Sequence, residues 1–447
     1  MKSSRLSIAV LGAASILGGC GAQSDSTSSA PVQADPPSAP VQADPPAPVQ
    51  ADPPVAVEAP AHAADAVEPL PVVATANAGE SINAMAAAMY ARLATSPSNL
   101  VFSPASIHGA FAMATLGARG ETAAELQRAL AVPAGDEARL RADGALQQRW
   151  NAPRQGRTFR VVNRLFGEQT MHFEDPYLAT LRESFASPLE PTDFRQGFAA
   201  ARTHINDWVS TTTNQRIRDL LPPAALDAST SLVLVNAVYL DAHWAQPFEQ
   251  SATHPAAFHT TQTTSVQVPT MHLRGSVQLA EVDGAQVVQL PYEGNDLAMR
   301  FILPPAGQEN AWVTAAHLAA PSFSEREVVF GIPKFRIEPT ESVALRDHVE
   351  ALGVHQAFDE HAADFTGIAT FPDPGERLYI SQAYHRAFIR VDEAGTEAAA
   401  ATAIVMARGG GMPMPLPEVN FDRPFLFQLV DVESGATLFL GRVTNPS

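Results

Sequence analysis

The stretch LVLVNAVYL, from Leu232 to Leu240, restricts this chain more than any other. It is apolar at odd and even positions alike. Side chains of a strand alternate faces, so both faces here must be covered, and the strand belongs in the middle of a sheet with layers above and below it. Asn236 is the one polar residue in the run. An amide enclosed there must find partners or cost about 1–3 kcal/mol.

The segments around it fill out such a fold. SINAMAAAMYARLA places Ile82, Met85, Met89 and Leu93 on one helical face, with Ser81 as its N-cap. SPASIHGAFAMATLGARG reads as a buried helix opened by Ser103-Pro104 and closed by Gly117 and Gly120. RTHINDWVSTTTNQRIRDLLP reads as a third helix, with Ile205, Trp208 and Val209 inward, running to Pro222. VVQLPYE and LAMRFILPP read as strands, and FLFQLVDV and ATLFLGRV as a final hairpin turning at Ser434-Gly435. Helices and strands mix without a regular βαβ period, which gives an α+β class.

Residues 79–447 form this globular part, and what precedes it is of another kind. MKSSRLSIAVLGAASILGGC has a basic start, an apolar segment too short to span a membrane, and small residues before Cys20, the single cysteine. Residues 1–19 read as a secretory signal, and LGGC resembles a bacterial lipobox whose cysteine is lipidated. The expected address is export across the inner membrane and a lipid anchor at the outer membrane or cell surface. Residues 20–78 are Pro- and Ala-rich, with APVQADPP near-copies at Ala30, Ala39 and Ala47. Such a composition cannot bury enough apolar surface to fold, and about 58 residues of extended polyproline would reach up to ~180 Å.

Composition excludes several functions. A net charge of −18 argues against nucleic acid as a partner, since phosphate binding needs a basic face. Lys2 and Lys334 are the only lysines, which reads as compositional bias. No GxSxG elbow, Walker loop, HExxH or dinucleotide glycine pattern occurs, so nothing points to an enzyme or a cofactor. In DEHAAD, Asp359, Glu360, His361 and Asp364 have metal-ligating side chains, but a solvated turn explains them better.

Seven blocks, in order, resemble one family. They are NLVFSPASIHGAFAMATLGARGETAAEL, LVLVNAVYLDAHWAQPF, VQVPTMHL, VVFGIPKFRIE, LGVHQAFDEHAADFTGIA, AYHRAFIRVDEAGTEAAAAT and FDRPFLFQLVDVESGATLFLGRV. The globular region is similar to the serpins, the serine-protease-inhibitor superfamily. The resemblance implies three β-sheets, eight or nine helices and an exposed reactive-centre loop near the C-terminus. It places Ser103, Ser106, Asn236 and His385 in a buried shutter beneath the central sheet, with His385 as a core histidine. Trp244 falls at the top of that sheet, where a strand is inserted. The implied activity is suicide inhibition of serine proteases, with cysteine proteases as a further target class, by a monomer. The alternative within the family is a non-inhibitory carrier, chaperone or envelope component.

The inhibitory mechanism requires the cleaved loop to enter the sheet as a new middle strand, and the residues can be held to that demand. Counting from the hinge Glu393 and Gly395, the inward set is Thr396, Ala398, Ala400, Thr402, Ile404 and Met406. None is charged. Glu397 is the one charge in the insert and falls in the outward set, and the first proline is Pro413. A helix or a plain linker also suits an alanine run, but neither explains that parity. For the scissile bond, the family spacing that the resemblance implies gives Gly409 when counted from the hinge Glu393 and lands near Pro413 when counted back from the C-terminal signature. Arg408 offers a side chain to an acidic, trypsin-like pocket, so Arg408-Gly409 is the favoured bond, with Met406-Ala407 as the alternative.

Overall fold

The computed structural model describes residues 75–371, 375–397 and 415–447. Among them are eight α-helices and three sheets. The first helices are α1 (Thr75–Leu93), α2 (Pro104–Gly117), α3 (Gly120–Ala129), α4 (Glu137–Asn151), α5 (Asp175–Thr180) and α6 (Phe198–Thr212).

α2 starts as its sequence dictates. Ser103 is extended at the N-cap and its hydroxyl accepts from Ser106 N–H, Pro104 occupies the first turn, and every residue from Pro104 to Gly117 is buried. α1 departs from expectation. It begins at Thr75, ahead of the boundary read at Gly79, so Ser81 lies inside the helix and its hydroxyl donates to the Ala131 carbonyl instead of capping. α6 also ends early, at Thr212, because Asn214 and Gln215 take left-handed φ values of 49° and 61°. The Thr213 hydroxyl accepts from Ile217 N–H, and Asn206 holds Leu221 through both its amide groups. These side chains satisfy a backbone that a run of β-branched threonines disfavours as helix.

A nine-stranded sheet carries the final hairpin, Phe425–Asp431 and Thr437–Val443, beside Leu297–Leu303, Ala285–Pro291 and the long strand Ser265–Val282. An eight-stranded sheet is built around Leu232–His243, and its run Leu232–Leu240 is buried throughout. One edge of that central strand pairs antiparallel with Arg157–Glu168 over its whole length. Its other edge has two partners. Below, Gln382–Ala387 pairs parallel with Val233–Val238. Above, the strands part, and Gly395–Thr396 lies between Ile389–Val391 and the central strand. The chain thus makes a short antiparallel return into the upper half of the sheet it has just left. The third sheet joins His172–Phe173 to Ala369–Thr370.

Candidate functional site: the inserted hinge and the polar lock below it

Glu393 to Glu397 enter the sheet top through fixed contacts. The Trp244 N–H donates to the Ala394 carbonyl at 2.9 Å, its indole N–H donates to the Asp392 carbonyl at 3.0 Å, and its ring stacks on Tyr292 with centroids 4.4 Å apart. Phe248 N–H holds the Glu393 carbonyl at 2.9 Å. Gly395 passes so close to the central strand that a Cβ there would lie 1.9 Å from the Ala242 carbonyl oxygen. That approach excludes any side chain.

Thr396 pairs with Ala242 on one side and Val391 on the other, is 2 % exposed, and exchanges a hydroxyl hydrogen bond with Tyr292. It sits inward, as the parity of the loop requires. Glu397 differs from expectation. It leaves on the opposite face, toward Arg216, but is buried instead of standing in water. The chain after α6, which carries Arg216, covers that face. Burial raises the Glu397 carboxyl above its usual range; Arg216 pulls it down and Asp241 adds to the rise.

The Glu393 carboxylate is shared by two donors. Lys334 Nζ lies 2.7 Å from Oε2, and the Thr253 hydroxyl donates to Oε1 at 2.9 Å. Burial alone would raise this carboxyl, but the Lys334 bond and charge, with the Thr253 hydroxyl and a backbone N–H, hold it below the usual range. Arg390 and Asp392 form a further ion pair at 2.6 Å beside it.

The lower half of the sheet is closed by uncharged groups. His385 Nε2 accepts from Ser103 N–H at 3.0 Å, so that nitrogen carries no proton. Nδ1 therefore holds it and donates to Asn236 Oδ1. Burial pushes the His385 pKa down to about 3, which keeps the ring neutral. The Ser106 hydroxyl donates to Asn163 Oδ1 at 3.1 Å, and Asn163 Nδ2 donates to Gln147 of α4 at 3.0 Å. Asn163 and Asn236 face each other across neighbouring strands. The Asn236 amide nitrogen has no partner, so this residue recovers only part of its burial cost.

The structure gathers Glu393, Gly395, Thr396 and Trp244 at the sheet top, and Ser103, Ser106, Asn236 and His385 below. Cys20, Ala398, Ala400, Thr402, Arg408 and Gly409 lie outside the described residues. Asp359 accepts from His361 N–H and Ala362 N–H, and Asp364 accepts from Thr366, so these acids cap two successive turns. Among the described residues no cluster of acids and histidines could hold a metal. Sequence reasoning missed Lys334, Thr253, Arg216, Tyr292 and Asn163. One signal was available for Lys334, the only lysine of the globular part.

The eight-stranded sheet is thus parted at its top by Gly395–Thr396 and closed beneath by neutral polar groups. A family model described as Serpin (serine protease inhibitor) matches residues 80–446, and the chain belongs to that family. An uncharacterized serpin-like protein of Thermococcus kodakarensis is 37% identical over 374 residues, covering 82% of this chain and 85% of that one. The leukocyte elastase inhibitor of Sus scrofa is 34% identical, covering 78% and 93%. Among solved structures, human thyroxine-binding globulin complexed with thyroxine is similar with a TM-score of 0.73 at 28% identity, over 84% of this chain and 100% of that chain.

Proposed function

We propose that the protein is a suicide inhibitor of serine proteases, with trypsin-like enzymes favoured. The protease attacks Arg408-Gly409, and the freed loop extends the strand that Gly395–Thr396 has begun. The carrying observation is that this pair already occupies strand positions between Val391 and Ala242, with Thr396 buried and uncharged. The rest of the inward set, Ala398, Ala400, Thr402, Ile404 and Met406, continues the pattern with no charge and no proline. The protein supplies stored conformational energy and no catalytic group of its own. Likeness to an elastase inhibitor supports the reading. Lipidation at Cys20 and the Pro-rich segment would hold this monomeric inhibitor at an outer membrane or cell surface.

The test is a panel of trypsin-, chymotrypsin- and elastase-like proteases, with papain-like enzymes added, scored for complexes that survive SDS and for the sequence of the released C-terminal peptide. A stable complex releasing a peptide that begins at Gly409 is the expected result. Cleavage without any complex overturns the inhibitor reading, and a peptide beginning at Ala407 moves the bond. The second reading, a carrier, is favoured by the likeness to thyroxine-binding globulin. The uncharged, proline-free inward set weighs against it, since a carrier has no need to keep those positions insertable.

A further inference from the structure

His108 and Asp143 make no hydrogen bond to the hinge or to the polar lock under the sheet, yet both are deeply buried, at 0% and 3% exposure. His108 lies on α2, two residues after Ser106, and Asp143 lies on α4. Nδ1 of His108 is 2.8 Å from Asp143 Oδ2, and Nε2 is 3.0 Å from the Leu130 carbonyl oxygen, in the link between α3 and α4. Both neighbours are acceptors. A neutral imidazole has one N–H and one lone pair, so it can satisfy only one of them and would turn a lone pair on the other. A doubly protonated ring satisfies both.

We propose that His108 is a buried imidazolium at neutral pH, and that its second proton fastens α4 and the α3–α4 link to α2. Asp143 supplies the counter-charge, and its other oxygen has no partner, so the carboxylate depends on this one contact. Arg139, one turn earlier on α4, is the other charged group acting on the ring, and it opposes the proton. It is drawn aside by Asp136 at 3.8 Å and by the Ser81 hydroxyl at 3.3 Å. Burial disfavours the charged ring, but the charge and hydrogen bond of Asp143 with the Leu130 carbonyl outweigh it, and His108 titrates above its ordinary range.

The folded protein keeps a proton that the unfolded chain gives up above about pH 6.5, so this stabilisation is full below that pH and is lost as pH rises through the raised value. The loss falls on a functional neighbour. One turn after Asp143, Gln147 takes the hydrogen bond of Asn163, which in turn holds Ser106. α4 therefore touches the lock under the sheet, and the proton on His108 helps seat it.

Nitrogen NMR of the full chain, labelled with 15N-histidine, reads the charge directly; the His108→Gln variant identifies the signal among the 13 histidines. Two protonated nitrogens at pH 7.5 are expected. A single unprotonated nitrogen at that pH overturns the proposal. In urea unfolding, the apparent folding constant of the wild type should weaken by up to about tenfold per pH unit above pH 7 through this group. Asp143→Asn keeps an acceptor and removes the charge, and should flatten that slope. An unchanged slope in Asp143→Asn also overturns the proposal, and this arm stands if His108→Gln fails to fold.

Discussion

The two halves of one strand, Leu232–His243, are closed by different chemistry. Its lower half pairs directly with Gln382–Ala387 and is pinned by neutral contacts among Ser103, Asn236 and His385. Its upper half is wedged open by Gly395–Thr396 and ringed by charges: Glu393 with Lys334, Glu397 with Arg216, Asp392 with Arg390. Neutral hydrogen bonds in a dry core have no screening to lose and are costly to break singly. The rim pairs set buried carboxylates against cations that are 36% to 46% exposed, where solvent screens the attraction. The lower half is thus held by contacts that are hard to break one at a time, and the upper half by contacts that solvent weakens.

Substitutions can break that contrast in order of effect. Thr396→Arg places a charge at a position 2 % exposed against Tyr292, where an unpaired ion costs several kcal/mol. The fold should survive with the hinge out of the sheet, and the variant should be cleaved as a substrate; an SDS gel showing complexes equal to wild type contradicts this. Asn236→Ala leaves the His385 Nδ1–H without an acceptor and should cost about 1–3 kcal/mol in urea unfolding.

The lower lock also has a pH signature. His385 stays neutral in the fold down to about 3, while the unfolded chain takes up a proton below about pH 6.5. Stability from this group is present above 6.5 and declines as pH falls toward 3. A His385→Gln variant should lose that part of the acid slope.

At the rim the effects shrink. Lys334→Met breaks a pair whose lysine is 36% exposed, so the cost should be about 1 kcal/mol or less, seen as faster hydrogen exchange at residues 393–396. Glu397→Gln should change stability least. The docked carboxyl is held above its ordinary range, so docking is favoured with the proton on and weakens as pH rises through the raised value. Exchange at Thr396, corrected for its intrinsic pH dependence, should show that trend in the wild type and lose it in the variant.

What could be read in advance follows the same division. In the lower half Asn236 was legible from the apolar run it interrupts and Ser103 from its Ser-Pro helix start, while the grouping of these residues with Ser106 and His385 came only from the family resemblance. Thr396 was legible because strand parity is a local rule; Gly395 was read as a hinge for its backbone freedom, whereas what requires a glycine there is the close approach to the Ala242 carbonyl. The rim was not legible. Lys334, Thr253 and Arg216 meet the hinge from segments far away in the chain, and no periodicity announces such contacts. The burial of Glu397 was missed for that reason, since parity fixes the face a side chain takes but not what covers it. The early end of α6 was missed because Thr213 and Asn206 rewire the backbone through side chains that also suit a helix.

The most direct test of loop insertion is thermal unfolding of the purified protein before and after a protease nicks the chain between Arg408 and Gly409. If the freed loop completes the strand begun by Gly395–Thr396, the nicked protein should unfold at a far higher temperature than the intact one, and Thr396→Arg should lose most of that gain. Equal unfolding temperatures for intact and nicked wild type would contradict the account.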